Sequence, residues 1–340
     1  MSQAATARAE VRDVSTGRQR LEAIQAPVRD ALEDMVRTMG DLVVSDLPLV
    51  GQVSAHLLTV RGKMFRPTLA LLASAADGTP DPRRITIAAS IELMHLATLV
   101  HDDSVDHSVL RRGLPTVNSM FSHQVAVIMG DFLYTRALTT LVRCGDMEIM
   151  RIVADVANEL TIGEMRQLEA IDALTFSEAS YEALIRAKTA SLISGACESG
   201  ALCGAVRHRG RLAFYGDRLG MAFQIADDIL DYAEDAATTG KPGGLDLQEH
   251  KVTLPLLAAL PAMSPAARRR VEVLFAADEP APELVHEVVG IVTDAGGLDY
   301  ARRRGEQFAS EAADALAGIP ESPVRTALLE AITYVMERRS

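Results

Sequence analysis

Between Ile85 and Val100 the chain is apolar almost all round, with Ile87, Ile91, Leu93, Met94, Ala97 and Leu99 among its members. Such a run predicts a helix buried on every side. Further apolar positions recur at helical spacing over Gln19–Met39, Pro67–Ala76, His123–Val142, Asp146–Ile171, Ser177–Cys203 and Leu212–Asp235. Gly40 is placed to end the first of these, and Leu47-Pro48 to start a new segment. Asp77-Gly78-Thr79-Pro80 closes the short second helix. Arg111–Thr116 reads as a loop, and Thr238–Gly244, with three glycines and a proline, as a clear break. Beyond it the pattern stays helical to Arg339, with connections marked by Pro261, Pro280, Pro282, Pro320 and Pro323. Alternating strand patterns are scarce. The expected fold is all-α: one domain, a helical bundle over residues 19–340, preceded by a flexible tail over 1–18.

Two of these apolar helices run into acidic clusters of the same form, D-D-x-x-D. The first is Asp102, Asp103 and Asp106; the second is Asp227, Asp228 and Asp231. Residues four apart share a helix face, so Asp102 projects with Asp106 and Asp227 with Asp231. One such cluster is ordinarily a solvated acidic face. Two, each at the end of a buried helix where the dipole is already negative, call for a counter-charge. Hard cations with oxygen ligands supply it, and Mg²⁺ completes its shell with water and substrate phosphate.

Composition narrows the classes. The 340 residues are 48% hydrophobic, enough for a sizeable core. A net charge of −12 argues against nucleic-acid binding, so an anionic substrate must be held by local cations or metal. Cys144, Cys197 and Cys203 are odd in number and lack C-x-x-C spacing, which points to a reducing compartment and no structural zinc. No apolar run of membrane-spanning length is free of charged or turn residues, and no secretory signal is seen. Arg8, Arg12 and Arg18 in an Ala/Ser/Thr-rich setting leave a transit peptide as the alternative to a frayed tail. A cytoplasmic location is expected.

Basic residues stand beside both acidic clusters. Lys63 and Arg66 flank a glycine and a proline in Arg61–Pro67; Arg111 and Arg112 follow the first cluster; Lys241 and Lys251 follow the second; Lys188-Thr189 lies in a helix rich in small residues. Arginine binds phosphate through two parallel hydrogen bonds and lysine as a point charge. Acid, base and glycine loops together suit two diphosphates bridged by Mg²⁺.

From about Leu21 to Arg339 the chain resembles the trans-isoprenyl diphosphate synthases, the head-to-tail polyprenyl transferases. The motifs are G-K-x-x-R-P at Gly62–Pro67, E-L-x-H at Glu92–His95, H-D-D-x-x-D-x-x-x-x-R-R-G at His101–Gly113 and G-D-x-L at Gly130–Leu133. To these are added Lys188-Thr189, F-Q-x-x-D-D-x-x-D at Phe223–Asp231, G-K-x-x-G-x-D-L at Gly240–Leu247 and Lys251–Pro255. Arg61, His107 and His250 depart from the family, which more often has glycine or a small residue there.

The resemblance implies an isoprenoid-synthase helical bundle around a central cavity and a Mg²⁺-dependent condensation of isopentenyl diphosphate with an allylic diphosphate. It implies that Lys63, Arg66, His95 and Arg112 hold the isopentenyl diphosphate. Arg111, Lys188, Gln224, Lys241 and Lys251 would serve the allylic diphosphate, with Lys188-Thr189 and Gln224 easing the transient cation. Asp102, Asp106 and Asp227 would bind Mg²⁺ directly, and Asp103, Asp228 and Asp231 directly or through water. A homodimer is usual in the family, and the apolar product makes transient membrane contact plausible. One turn before Asp102, Ala97 and Thr98 are small where short-chain relatives carry bulky aromatics, and the first cluster lacks the two-residue insertion of many bacterial short-chain enzymes. A long polyprenyl product, such as a quinone side-chain precursor, is therefore expected, with Met94 and Ile91 deeper along the helix as candidate stops. A farnesyl or geranylgeranyl synthase is the alternative. A non-catalytic subunit of a heteromeric synthase should have lost aspartates or bases, and here all remain. A terpene cyclase would line its pocket with aromatics, whereas this chain has no Trp and 4% aromatic residues.

Overall fold

The apolar stripes become helices nearly everywhere they are expected. The computed structural model describes residues 17–59, 62–169, 176–233 and 243–337. The order is α1 (17–25), α2 (Arg29–Leu42), α3 (Pro48–Thr59), α4 (Phe65–Ser74), α5 (Arg83–Val105), the single turn α6 (Val117–Met120), α7 (His123–Cys144), α8 (Met147–Glu169), α9 (Glu178–Ile185), α10 (Ser191–Leu202) and α11 (Arg209–Ala233). Further helices follow, among them Leu245–Gln248, Leu254–Ala259, Pro282–Asp294, Gly297–Ala315 and Pro323–Met336. The expected tail falls largely outside the described residues, as do Arg61, Ile171, Asp235 and most of the 238–244 break.

Local chemistry sets the helix ends. Ser122 caps α7, its Oγ accepting from the Val125 amide at 3.2 Å, and Gly145 leaves the helix at φ 70°. Asp146 caps α8 and Ser177 caps α9 in the same way. Gly40 does not end α2. The helix runs on to Leu42 because Met39 and Val43 on either side are buried, and a glycine within a helix costs only about 1 kcal/mol.

α5 is the central helix. It packs along α7 and meets α2, α4 and α10, while α11 packs between α10 and the helix Gly297–Ala315. One contiguous apolar core links Ile24 near the start of the described chain to Val335 near its end. Among the described residues, strand is confined to Leu110–Arg111 and Leu114–Pro115, an antiparallel pair where a loop was expected. Arg112 and Gly113 form its two-residue turn at φ 52° and 77°, the left-handed pair that a tight hairpin requires. α7 is long and apolar enough to cross a membrane by length and composition, yet it carries Asp131 and Arg136 and packs along α5.

The stretch expected as one helix over Ser177–Cys203 is broken at Arg186–Ala190 by a π-helical turn. Helices α8 and α11 press on it from two sides. A Cβ on Gly163 would lie 3.0 Å from the Lys188 amide nitrogen, and one on Gly220 would lie 2.5 Å from the Ala190 Cα. Both positions need glycine for this approach, and the widened turn carries Lys188-Thr189.

Candidate active site

α5 carries the first aspartate cluster in its last turn and at its C-cap, where the Asp106 amide donates to the Asp102 carbonyl at 2.8 Å. The three carboxylates have different surroundings. Asp106 is exposed and Asp102 half-buried. Burial pushes the Asp102 carboxyl up to about 6; Glu164 and Asp106 add to this, while Lys188 and Arg111 oppose it. Asp103 is buried, and the hairpin turns Arg111 back onto it, so that Nε donates to both carboxylate oxygens at 2.8 Å. Asp103 thus anchors Arg111 through its Nε, while the Arg111 side chain stays one-third exposed.

The second cluster, on α11, divides in the same way. Asp227 is exposed and Asp231 half-buried. Asp228 is buried and accepts from Tyr181 Oη at 2.5 Å and Gln224 Nε2 at 2.9 Å. Burial, then the charge of Asp246, push the Asp228 carboxyl up to about 8 against these hydrogen bonds. Asp246, in Leu245–Gln248, joins the cluster: its amide donates to Asp231 Oδ2 at 3.1 Å, and burial followed by Asp231 raises its carboxyl to about 7. Lys251 Nζ lies 2.6 Å from Glu249 and 3.8 Å from Asp246. Burial works against its charge, but Glu249, Asp246 and Asp106 outweigh it and raise the ammonium above its ordinary value.

Lys188 leaves the π turn with its ammonium 2.9 Å from Glu164 and 2.7 Å from Gln167, both on α8. Beside it Thr189 Oγ1 donates to Gln224 Oε1 at 2.8 Å. Two turns back along α5 from Asp102, Arg66 Nη1 donates to His95 Nε2 at 3.0 Å. Burial, then Arg66, Arg112 and Arg111, hold the His95 imidazole well below its usual range. His95 is therefore a neutral ring that orients Arg66, not a further cation. Arg66 and Arg112 both act on Glu92, whose carboxyl burial raises. The Nε of Arg66 is buried with no hydrogen-bond partner among the described residues. Arg112 packs against Gly62, where a Cβ would lie 2.6 Å from its Nη1. Lys63 is exposed, with its ammonium 5.9 Å from the Tyr334 ring centre. Lys241 lies outside the described residues.

The donor set suits a hard divalent cation. It is all oxygen, it comes from α5, α11 and the short helix Leu245–Gln248, and burial and mutual repulsion hold Asp102, Asp228 and Asp246 above the carboxylate range until positive charge arrives. Among the described residues no three such side chains close into a cage.

Sequence reasoning did not single out Glu92, Glu164, Gln167, Tyr181 or Asp246. Glu92 and Asp246 stand inside motifs already quoted, E-L-x-H and G-K-x-x-G-x-D-L, and were findable there. The others are ordinary helix residues brought in by packing. His107 and His250, two of the departures from the family pattern, adopt φ 51° and 57°, the left-handed region where glycine is at no cost.

Comparison with known proteins agrees with this architecture. Residues 47–292 match the polyprenyl synthetase family. An octaprenyl diphosphate synthase of Haemophilus influenzae is 37% identical over 86% of this chain and 90% of its own. A geranyl-diphosphate-specific all-trans-nonaprenyl-diphosphate synthase of Rhodobacter capsulatus is 38% identical over 93% of this chain and 97% of its own. The crystal structure of a Caulobacter crescentus polyprenyl synthase, complexed with calcium and isoprenyl diphosphate, superposes with a TM-score of 0.88 at 32% identity, covering 94% of this chain and 98% of that one. With its two aspartate clusters, its fold and these matches, the chain belongs to the polyprenyl synthetase family.

Proposed function

We propose that this protein condenses isopentenyl diphosphate with an allylic diphosphate, head to tail and with Mg²⁺, to give a long all-trans polyprenyl diphosphate. One juxtaposition carries this reading: Lys251, paired with Glu249 and Asp246 beside the second cluster, also feels the charge of Asp106 in the first, while Lys188 acts on Asp102 and its neighbour Thr189 bonds to Gln224 of the second helix. Both aspartate helices thus open on one site with cations between them. The long product is supported by the octaprenyl and nonaprenyl synthases among the relatives and by the small Ala97 and Thr98.

Asp102, Asp106, Asp227 and Asp231 would hold Mg²⁺, with Asp103 and Asp228 behind them. When bound, the ion neutralises charge on the leaving diphosphate. Arg66, Arg112 and Lys63 bind the diphosphate of isopentenyl diphosphate, with His95 orienting Arg66. Lys188 and Lys251 face the allylic diphosphate; Lys241 is assigned there by its motif alone. As the allylic carbon–oxygen bond breaks, Thr189 and Gln224 present oxygen dipoles to the carbon that becomes positive. The isopentenyl double bond attacks that carbon. A proton then leaves to the released diphosphate, so no side-chain base is required.

The direct test incubates the purified protein with Mg²⁺, labelled isopentenyl diphosphate and, separately, geranyl, farnesyl or geranylgeranyl diphosphate, and sizes the products. Long polyprenyl diphosphates are expected. Products that stop at farnesyl or geranylgeranyl length retain the reaction and refute the long chain. No product with any primer overturns the proposal in favour of a subunit that needs a partner.

Gly62→Ala isolates the isopentenyl subsite. The added methyl meets the mobile end of Arg112 and turns it away, costing one charge-assisted hydrogen bond. The KM for isopentenyl diphosphate should rise on the order of tenfold, with kcat and melting temperature little changed. Steady-state kinetics with each substrate varied in turn checks this.

The proposal includes a homodimer. Val127 and Ile128 on α7 are 46% and 59% exposed, and Leu110 of the hairpin and Met120 of α6 are exposed as well. Ile128→Glu places a charge there and should convert a sedimenting dimer to monomer. A wild-type protein that sediments as a monomer at micromolar concentration refutes the dimer.

A further inference from the structure

Tyr181 is a buried tyrosine on α9, 1% exposed, and none of the steps above uses it. Its hydroxyl donates to Asp228 Oδ2 at 2.5 Å. The other oxygen of that carboxylate accepts from Gln224 Nε2 at 2.9 Å, and Gln224 Oε1 accepts from Thr189 Oγ1 at 2.8 Å. Four side chains from α9, the π turn and α11 thus form one hydrogen-bonded chain that ends at the π turn bearing Lys188.

The chain has a direction. An amide NH₂ only donates, so Gln224 faces Asp228 Oδ1 with its nitrogen, while Tyr181 Oη donates to Oδ2. That fixes which way the Gln224 amide points, with its oxygen toward Thr189. Without the anchor at Tyr181, the Asp228 carboxylate is free to rotate, and the amide it orients rotates with it. Asp228 is only 3% exposed, so no bulk water stands in for the lost hydroxyl.

We infer that Tyr181 is a positioning residue for condensation: through Asp228 it holds the Gln224 amide oxygen and the Thr189 hydroxyl in the orientation that meets the developing allylic cation. The inference rests on the condensation activity proposed above.

Tyr181→Phe removes one oxygen and keeps the ring that fills the core. At saturating Mg²⁺, kcat should fall on the order of 10- to 100-fold, the range for losing a supporting hydrogen bond. The KM for isopentenyl diphosphate and the Mg²⁺ concentration for half-maximal rate should stay unchanged. The double variant Tyr181→Phe/Gln224→Leu should be no slower than Gln224→Leu alone, since both remove the same chain. A kcat within twofold of wild type, with only the melting temperature lowered, overturns the positioning role, as does a multiplicative double variant. Should Tyr181→Phe fail to fold, Asp228→Asn carries the test. Lower kcat with unchanged Mg²⁺ half-saturation supports the chain, whereas a raised Mg²⁺ requirement makes Asp228 a metal ligand and overturns it. Wild type runs alongside: if it makes no prenyl product, the proposed reaction fails, whereas an active wild type with an equally fast Tyr181→Phe variant refutes this inference alone.

Discussion

Asp102→Asn is expected to lower the condensation rate on the order of 10³-fold without lowering the stability of the fold. The two effects separate because of where Asp102 sits. It ends α5 half-buried, beside Asp106 and Glu164, and its carboxyl is pushed up to about 6 by burial first. In the metal-free protein above that pH the ionised group costs stability, because the folded state holds its proton more tightly than the unfolded chain does. An amide removes that cost, so the metal-free melting temperature at pH 8 should hold or rise. The same amide cannot supply the charge that a divalent cation needs. Asp227→Asn should produce a similar rate loss from the opposite helix, and the double variant should be little slower than either single one, because the clusters act as a unit. Asp103→Asn should differ in kind. Asp103 grips Arg111 through both oxygens, so its loss should disturb the hairpin and lower the melting temperature as well as the rate. A Mg²⁺ titration of the rate, paired with thermal melts in chelator, checks the set. An Asp102→Asn protein that keeps a tenth of the wild-type rate at any Mg²⁺ concentration would overturn the role of this cluster.

The helices were readable because burial writes itself into the chain as apolar faces, and the clusters because six aspartates at two helix ends have few structural uses. What escaped depends on contacts between distant segments. The π turn at Arg186–Ala190 has no local signature; it forms where Gly163 and Gly220, from two other helices, leave room for it. Within each D-D-x-x-D the three aspartates are equivalent on paper, yet Asp103 and Asp228 turn inward to Arg111 and to Tyr181 and Gln224. The surroundings of His95 also come from packing: Arg66 Nη1 reaches its Nε2 at 3.0 Å, and burial with Arg66, Arg112 and Arg111 holds the imidazole well below its usual range. Gly40 failed as a stop signal because its helix is held by buried residues on both sides of it, which outweighs local propensity. The lone Tyr181 carried no pattern at all.

Thr98→Phe is expected to shorten the product to a short prenyl diphosphate while leaving the first condensation near the wild-type rate. Thr98 stands one turn behind Asp102 on the same face of α5, and Met94 one turn behind that. A tail growing away from the aspartates along this face passes Thr98 first. The Thr98 hydroxyl bonds to the His95 carbonyl at 2.8 Å within its own helix, so its polar atom is satisfied and the surface it adds is a methyl group. Thr98 is only half-buried, so a larger side chain there displaces less packed core than one at a fully buried position. Ala97 is different. It is 1% exposed, and a phenylalanine there must displace packed neighbours at a cost of about 1–3 kcal/mol. Ala97→Phe should therefore melt earlier, with any change in product length mixed with loss of fold. Met94 is equally buried, so Met94→Ala opens a cavity at a cost of about 2–5 kcal/mol. Lengthening of the product by Met94→Ala, if the tail reaches so deep, should come with a lower melting temperature. Thr98→Phe is the informative variant because it changes the path and not the core. Chromatographic sizing of products from geranyl diphosphate decides the matter: an unchanged length distribution means that the tail does not run along this face, and the control of length then lies on a neighbouring helix.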